Sequence, residues 1–339
     1  MRKDIRTVTV GVDGSRASLD AADWAAREAE RRRLTLRLLQ AGGEPTAPAS
    51  VSASASTSAS APAPAPVPAP APVPPFASVH RLRPRPLPRP RSILGSSAPP
   101  AGELQRGILD RAAVQLAYGH PALDIVARRV ATPAVPALLA VAVESETLVM
   151  GSRGFTGFLV GSVALAVAAG AACPVVLVRA GELPPDERVP VDHTTPPARA
   201  PYLPVVLGLD LDHSADDLIG YAFDAAAVRS APLHVLHAWT LPSPRRCATG
   251  ARAPIDTADQ QDSRERSLAA VLQPWRHKYP ETEVSEQVVY GHAGHHLLKA
   301  STRASLLAIG RAPAGKSLGS AAHSLVHHST CPVAVVPHD

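Results

Sequence analysis

The residues best placed to do chemistry in this 339-residue chain are glycines followed by a hydroxyl. Residues 150–163 read Met150-Gly151-Ser-Arg153-Gly154-Phe-Thr-Gly-Phe-Leu-Val-Gly161-Ser162-Val163. Small residues let backbone N–H groups approach an anion, and a helix opening at Gly161-Ser162 adds the partial positive charge of its N-terminus. Arg153 can steady further negative charge. This is the chemistry of a phosphate cradle. It is written twice, because Gly310, Gly315, Lys316, Gly319 and Ser320 repeat the arrangement near residue 315, and Cys-Pro-Val follows each copy at Cys173 and Cys331. Two such copies predict a tandem repeat. Each repeat also opens with an apolar run ending in aspartate: Thr7–Val12 leads to Asp13-Gly14-Ser15, and Pro204–Leu209 leads to Asp210.

Three other patterns have a bland reading that outweighs the sharp one. Gly310-Arg-Ala-Pro-Ala-Gly315-Lys316-Ser317 matches the Walker A spacing. A P-loop, however, follows the first strand of its domain, with a metal-holding aspartate at a later strand end. Here no later strand ends in aspartate, and Pro313 removes an amide donor from the loop. His292/His296 and His323/His327 have the i,i+4 spacing of paired imidazoles, but zinc needs three or four convergent ligands and neither cysteine nor carboxylate completes a set. No metal site is expected. Around the first glycine loop no Glu, Asp or His stands ready to position water, and there is no Gly-x-Ser-x-Gly elbow or Cys/His pair. Catalytic residues are therefore not expected, although slow ATP hydrolysis is kept as an alternative to pure binding, and a non-binding scaffold as a third reading.

Positioning these residues requires alternating strands and helices. In the second repeat, strands are expected over 204–210, 233–239, 284–290, 306–310 and 333–336. Helices are expected from Ser214 to about Arg229, from Asp262 to Lys278, over 294–303 and over 319–329. The first repeat predicts strands at 7–12, 34–39, 124–130 and 147–150, with Ser15 capping the first helix. Continuous apolar strands are those of a parallel sheet buried on both faces. Asp13 and Asp210 lie 197 positions apart, whereas Cys173 and Cys331 lie 158 apart. The first repeat therefore carries an insertion. Residues 43–100, rich in Ala, Ser and Pro and ending in an Arg-Pro run, cannot bury a core and are expected to be disordered or polyproline-like.

Composition agrees with two α/β domains: 45% hydrophobic, 4% aromatic and 36 prolines. The net charge of +5 is supplied by Arg81, Arg83, Arg85, Arg89 and Arg91 inside the insertion, which argues against a nucleic-acid surface. Three cysteines make no disulfide framework. Cys173 and Cys331, at equivalent positions, are expected to be buried small hydrophobes. No stretch reaches about 18 apolar residues, so no membrane span is expected and a cytoplasmic location follows as the simple expectation.

Val10-Gly-Val-Asp-Gly-Ser15, Val149-Met-Gly-Ser-Arg-Gly154, Gly161-Ser162-Val163 and Ala172-Cys-Pro-Val-Val-Leu-Val178, with their second-repeat counterparts, resemble the tandem universal stress proteins of actinobacteria. The resemblance covers nearly everything outside 43–100 and 181–203. It implies two doubly wound, five-stranded parallel sheets of order 3-2-1-4-5, as in the adenine-nucleotide alpha-hydrolase-like fold. The domains would span 1–180 and 204–339, joined by a linker at 181–203. It implies ATP, with or without Mg²⁺, as ligand. Val12, Asp13, Gly14, Ser15 and Ala41 would then meet adenine and ribose. Met150, Gly151, Arg153, Gly154, Gly161, Ser162 and Val163 would surround the phosphates. Against the family's Gly-x2-Gly-x9-Gly-Ser/Thr, the segment between Gly154 and Gly161 is three residues short, and Thr132 stands where glycine is usual. Asp210, Gly310, Gly315, Lys316, Gly319 and Ser320 would form a weaker second site. Intramolecular pairing of the repeats through residues 175–178 and 333–336 is implied, and a homodimer through the same kind of edge is a further consequence.

Overall fold

The computed structural model describes residues 7–42, 101–152, 160–190, 199–213, 215–241, 257–311 and 318–338. The insertion 43–100, with its arginine run, lies outside the described residues.

In the first half, β1 (Thr7–Gly11), α1 (Arg16–Arg32), β2 (Thr35–Ala41), α2 (Ala101–Gly119) and β3 (Ile125–Val130) come first. They are followed by α3 (Ala134–Ala142), β4 (Thr147–Ser152), α4 (Ser162–Gly170) and β5 (Val175–Arg179). The second half repeats this with β6 (Val205–Gly208), α5 (Asp216–Arg229), β7 (Leu233–Trp239), α6 (Thr257–Lys278) and β8 (Val284–Tyr290). After these come α7 (Ala293–Ser301), β9 (Leu306–Arg311), α8 (Ser320–His328) and β10 (Val333–Pro337). Helical crossovers enforce parallel pairing within each half, and each half has the order third, second, first, fourth, fifth. One ten-stranded sheet results, β3-β2-β1-β4-β5-β10-β9-β6-β7-β8. Only β5 and β10 are antiparallel, with Val175 opposite Val335 and Leu177 opposite Val333.

Helices cover both faces. A core beneath α1, α2, α5 and α6 includes Trp24, Phe223, Leu268 and Leu272, and the opposite core beneath α3, α4, α7 and α8 includes Leu138, Val167, Leu297 and Leu325. The central strands are buried on both faces, as their apolar runs require. The two edge strands correct that expectation. β3 reads Ile-Val-Ala-Arg-Arg-Val with its four middle residues exposed, and β8 alternates between exposed and half-buried positions. An edge strand has a partner on one side only, and charge or polarity there discourages further pairing.

Local signals set the helix ends. Ser15 caps α1 by accepting the Ser18 N–H at 3.2 Å. Arg33 and Ser230 close α1 and α5 in the left-handed conformation. α5 starts at Asp216 with Ala215 as its capping residue; the expected start at Ser214 lies outside the described residues. Cys173 and Cys331 are buried and free, as small hydrophobes.

A charged layer crosses between α1 and α5. Glu28, 1% exposed, accepts from Arg32 Nε at 2.6 Å, Arg31 Nη2 at 2.9 Å and Arg229 Nη2 at 2.7 Å. Burial alone would push the Glu28 carboxyl up. Arg229, Arg31 and Arg32 together outweigh it and hold the group far below the ordinary carboxylate range. The stretch 181–203 does more than span a gap. It makes a 3-10 turn at Pro184–Glu187 and an isolated bridge between Arg188 and Tyr202, and the buried Glu187 accepts from Arg27 at 2.8 Å. Among the described residues no helix is long and apolar enough to cross a membrane.

Candidate functional site

At the carboxyl ends of β1 and β4, where the strand order reverses, the first half holds a pocket of about 280 Å³. Open α/β sheets bind ligands at such a switch point, because the chain leaves the two strands in opposite directions and opens a crevice. One wall comes from Val12, Asp13 and Ser15, with Ala41 beside them at the end of β2. The other comes from Met150 and Gly151 at the end of β4, and from Gly161, Ser162 and Val163 at the start of α4. Gly14 holds the turn from β1 into α1 at φ +85°, a conformation open to glycine, and packs closely against Ile108. Arg153 and Gly154 lie outside the described residues.

The two walls differ in charge. Ser15 N donates to Asp13 Oδ1 at 2.9 Å, an Asx turn, and Asp13 N donates to Ser18 Oγ at 3.3 Å. Burial would raise the Asp13 pKa, but hydrogen bonds from Ser15 and Ser18 dominate and lower it. Asp13 is therefore a carboxylate at neutral pH, an acceptor suited to hydroxyl or amino groups and repulsive to phosphate. Opposite it, among the described residues no side chain caps α4 at Gly161, and the first-turn N–H groups of a helix need an acceptor from outside it. That wall favours an anion.

The glycines of this wall serve different ends. A Cβ at Gly151 would fall on the backbone of Ala17 and Ser18 in α1, so Gly151 is required for helix packing. A Cβ at Gly161 would meet nothing within 4 Å, so this position is open toward the pocket. Ser18, Ala134 and Leu138 also line the pocket and were not singled out from sequence. Ser15-x-x-Ser18 was a legible signal, since Ser18 Oγ bonds back to the Ser15 carbonyl at 2.9 Å. Ala134 and Leu138 read only as helix core.

The second half has its counterpart, a pocket of about 800 Å³ lined by Asp210, Gly310 and Gly319. Ser320 begins α8 beside it, while Gly315 and Lys316 lie outside the described residues. Registers align the halves. Gly11 pairs Leu39 as Gly208 pairs Leu236, so Ala238 stands for Ala41. Ser152 ends β4 where Arg311 ends β9. Asp210 accepts from the Asp212 N–H at 3.1 Å and lies 3.2 Å from His213 Nδ1. Trp239, Arg264 and Arg311 also line this pocket, with no equivalents among the described lining residues of the first. Among the described residues no group of three His, Cys, Asp or Glu could hold a metal.

A doubled α/β sheet with a switch-point pocket in each half defines a tandem, doubly wound class of protein. Comparison with known proteins makes this specific: the model of the universal stress protein family matches residues 4–65, 77–179 and 201–337. The chain belongs to the universal stress protein family. It is 28% identical over 341 residues to universal stress protein Rv1996 of Mycobacterium tuberculosis, covering 98% of this chain and 96% of that one. To Rv2623 of the same organism it is 27% identical over 346 residues, covering 97% and 95%. In fold it is similar to a universal stress protein from Archaeoglobus fulgidus, with a TM-score of 0.59 at 15% identity over 99% of this chain and all of that one.

Proposed function

We propose that the protein is a nucleotide-sensing regulatory module of stress adaptation, acting in the cytoplasm, and that its first-half pocket takes an adenine nucleotide. The observation that carries this reading is the polarity of the pocket. Asp13 offers an ionised acceptor for the nucleoside on one wall, and the α4 N-terminus, with no side-chain cap among the described residues, offers amides to phosphate on the other. Ala41 would border the adenine, and Gly161, Ser162 and Val163 the phosphates, with Arg153 and Gly154 expected to close over them. Mg²⁺ would arrive with ATP, because one carboxylate already engaged by Ser15 is a poor metal site. The domains would be 1–180 and 204–339, joined by 181–203 and paired within the chain. The β5–β10 register and the Glu28–Arg229 contact support that pairing.

Binding without efficient catalysis fits the lining. Among the described residues lining this pocket Asp13 is the only titratable side chain, and it is already engaged by the Ser15 N–H. Isothermal titration of nucleotide-stripped protein with Mg-ATP, AMP and GTP tests the reading. Wild type should bind with adenine preference. Gly161→Val should abolish binding in this pocket while leaving the melting temperature unchanged, because the added side chain enters open space. Unchanged affinity in that variant would overturn the site.

A further inference from the structure

The helix that opens onto the first pocket is held at both ends by the second half. At its C-terminus, Arg311 Nη2 of β9 donates to the carbonyl of Ala171, the capping residue of α4, at 2.6 Å. A cation there also meets the negative end of the helix. At the other end, His327 Nδ1 of α8 accepts the N–H of Val160, the buried residue just before the Gly161 cap, at 3.1 Å. α4 is 9 residues long, so it moves as a short rod, and two fixed ends fix its direction. The second half is not braced in the same way. Residues 158 positions apart are equivalent, as Cys173 and Cys331 are. Ser329, the counterpart of Ala171, caps α8 and accepts from Arg179 Nη1 at 2.7 Å, so the C-terminal contacts are reciprocal. The counterpart of His327 is Ala169, whose side chain has no acceptor for the N–H of Leu318, the counterpart of Val160. The N-terminal brace is one-sided and falls on the first pocket.

We propose that His327 is a positioning residue for the first pocket: its neutral imidazole holds the α4 N-terminus in place through Val160, and its protonation releases that end and weakens nucleotide binding. The proposal rests on the nucleotide-binding reading of this pocket and adds a regulator to it. The bond requires Nδ1 without a proton, so the neutral ring carries its hydrogen on Nε2; an imidazolium has two N–H donors and no acceptor. Acid therefore sets N–H against N–H at Val160. On its own helix, His323 and His328 neighbour His327, with ring centroids 4.5 and 6.3 Å away. α3, α4 and β10 carry no titratable side chain. α7, packed along α8, carries His295, His296 and Lys299, and Arg179 and Arg311 stand at the strand ends. Apart from Glu182, whose field reaches Cys331, the charged groups on this side are cations or become so in acid, and repulsion around the ring grows as pH falls.

The test titrates the nucleotide-stripped full chain with Mg-ATP from about pH 8 to about pH 5, the span over which imidazole changes charge, and follows Val160 amide exchange alongside. His327→Leu removes the acceptor and should weaken binding roughly 2- to 10-fold at the alkaline end, the range of one neutral hydrogen bond. His327→Asn sets an uncharged acceptor near the place of Nδ1 and should restore the affinity. Wild type should match the asparagine variant at the alkaline end and fall to the leucine variant in acid. The two variants should keep a constant ratio throughout, because titration of ATP itself is common to all three proteins. Parallel curves for wild type and His327→Asn, or equal alkaline affinities for all three, would overturn the proposal. If none of the three binds ATP, the nucleotide reading fails and exchange decides the brace. Val160 should then exchange faster in His327→Leu than in His327→Asn at every pH, and equal rates would overturn the brace as well.

Discussion

Replacing Glu28 by glutamine should strongly destabilise the fold. The carboxylate is 1% exposed and shared by three arginines. Arg31 keeps a hydrogen bond to Tyr202 at 2.9 Å and Arg32 keeps Glu146 at 3.1 Å and Asp224. Among the described residues Arg229 keeps one hydrogen bond, to the Ala225 carbonyl at 3.0 Å, and its place 5.7 Å over the Trp24 ring, with its side chain fully buried. Glutamine retains the shape but strands that cation, and leaving one member of a buried pair uncompensated costs about 3–5 kcal/mol. For a cooperative unit of this size the loss corresponds to roughly 6–20 °C in melting temperature. Urea and thermal unfolding at pH 7 measure it. The sign with pH is fixed by the depressed pKa of Glu28. Its contribution is fully present above the ordinary value of 4.5 and is lost as pH falls toward the folded-state value, so the gap between wild type and variant should close under acid. In Glu28→Met/Arg229→Met both charges go, and stability should recover most of the loss. A Glu28→Gln penalty below about 1 kcal/mol, the scale of a surface pair, would refute this reasoning.

His327 of α8 accepts the Val160 N–H at 3.1 Å, just before the Gly161 cap of the first pocket. His327→Leu should speed hydrogen exchange at Val160 and weaken first-pocket nucleotide affinity; an unaltered amide would separate the two. Burial pushes the Cys173 thiol up to about 12 and the Cys331 thiol higher still, so both should resist alkylation at pH 8 until the chain is unfolded, and fast native labelling of either would contradict the packing. Glu182 is raised to about 8 by burial and by Glu187 and Asp186, so its charge destabilises the fold increasingly as pH climbs above 4.5. Glu182→Gln should therefore raise the melting temperature at pH 8 and have no effect at pH 4. Gly151→Ala should lose stability and binding together, unlike Gly161→Val, because its Cβ would meet the α1 backbone.

Much of this fold was legible in one dimension. Glycine-serine steps, strand-terminal aspartates and the Cys-Pro-Val repeats act through local backbone preferences, and local preferences are written where they act. The expected bounds of β7 and β8 match to the residue, and the alternation of strand and helix implied parallel pairing. Hydrophobic pattern misjudged the edge strands, because a run of residues does not record how many neighbours a strand will have.

The contacts that distinguish the two pockets were invisible in the sequence. Arg311 meets Ala171 across 140 positions, His327 meets Val160 across 167 and Arg229 meets Glu28 across 201. Gly151, expected to border the phosphates, lines the pocket and also lets the α1 backbone settle against β4. Each of these depends on the antiparallel register of β5 with β10 or on how closely a helix settles on the sheet. A shift of one residue in that register would turn the same side chains to the other face. The sequence alone determined the two repeats and the polar ends of their strands. Only the tertiary structure decided which buried charges meet, because desolvated groups are placed by packing and not by periodicity.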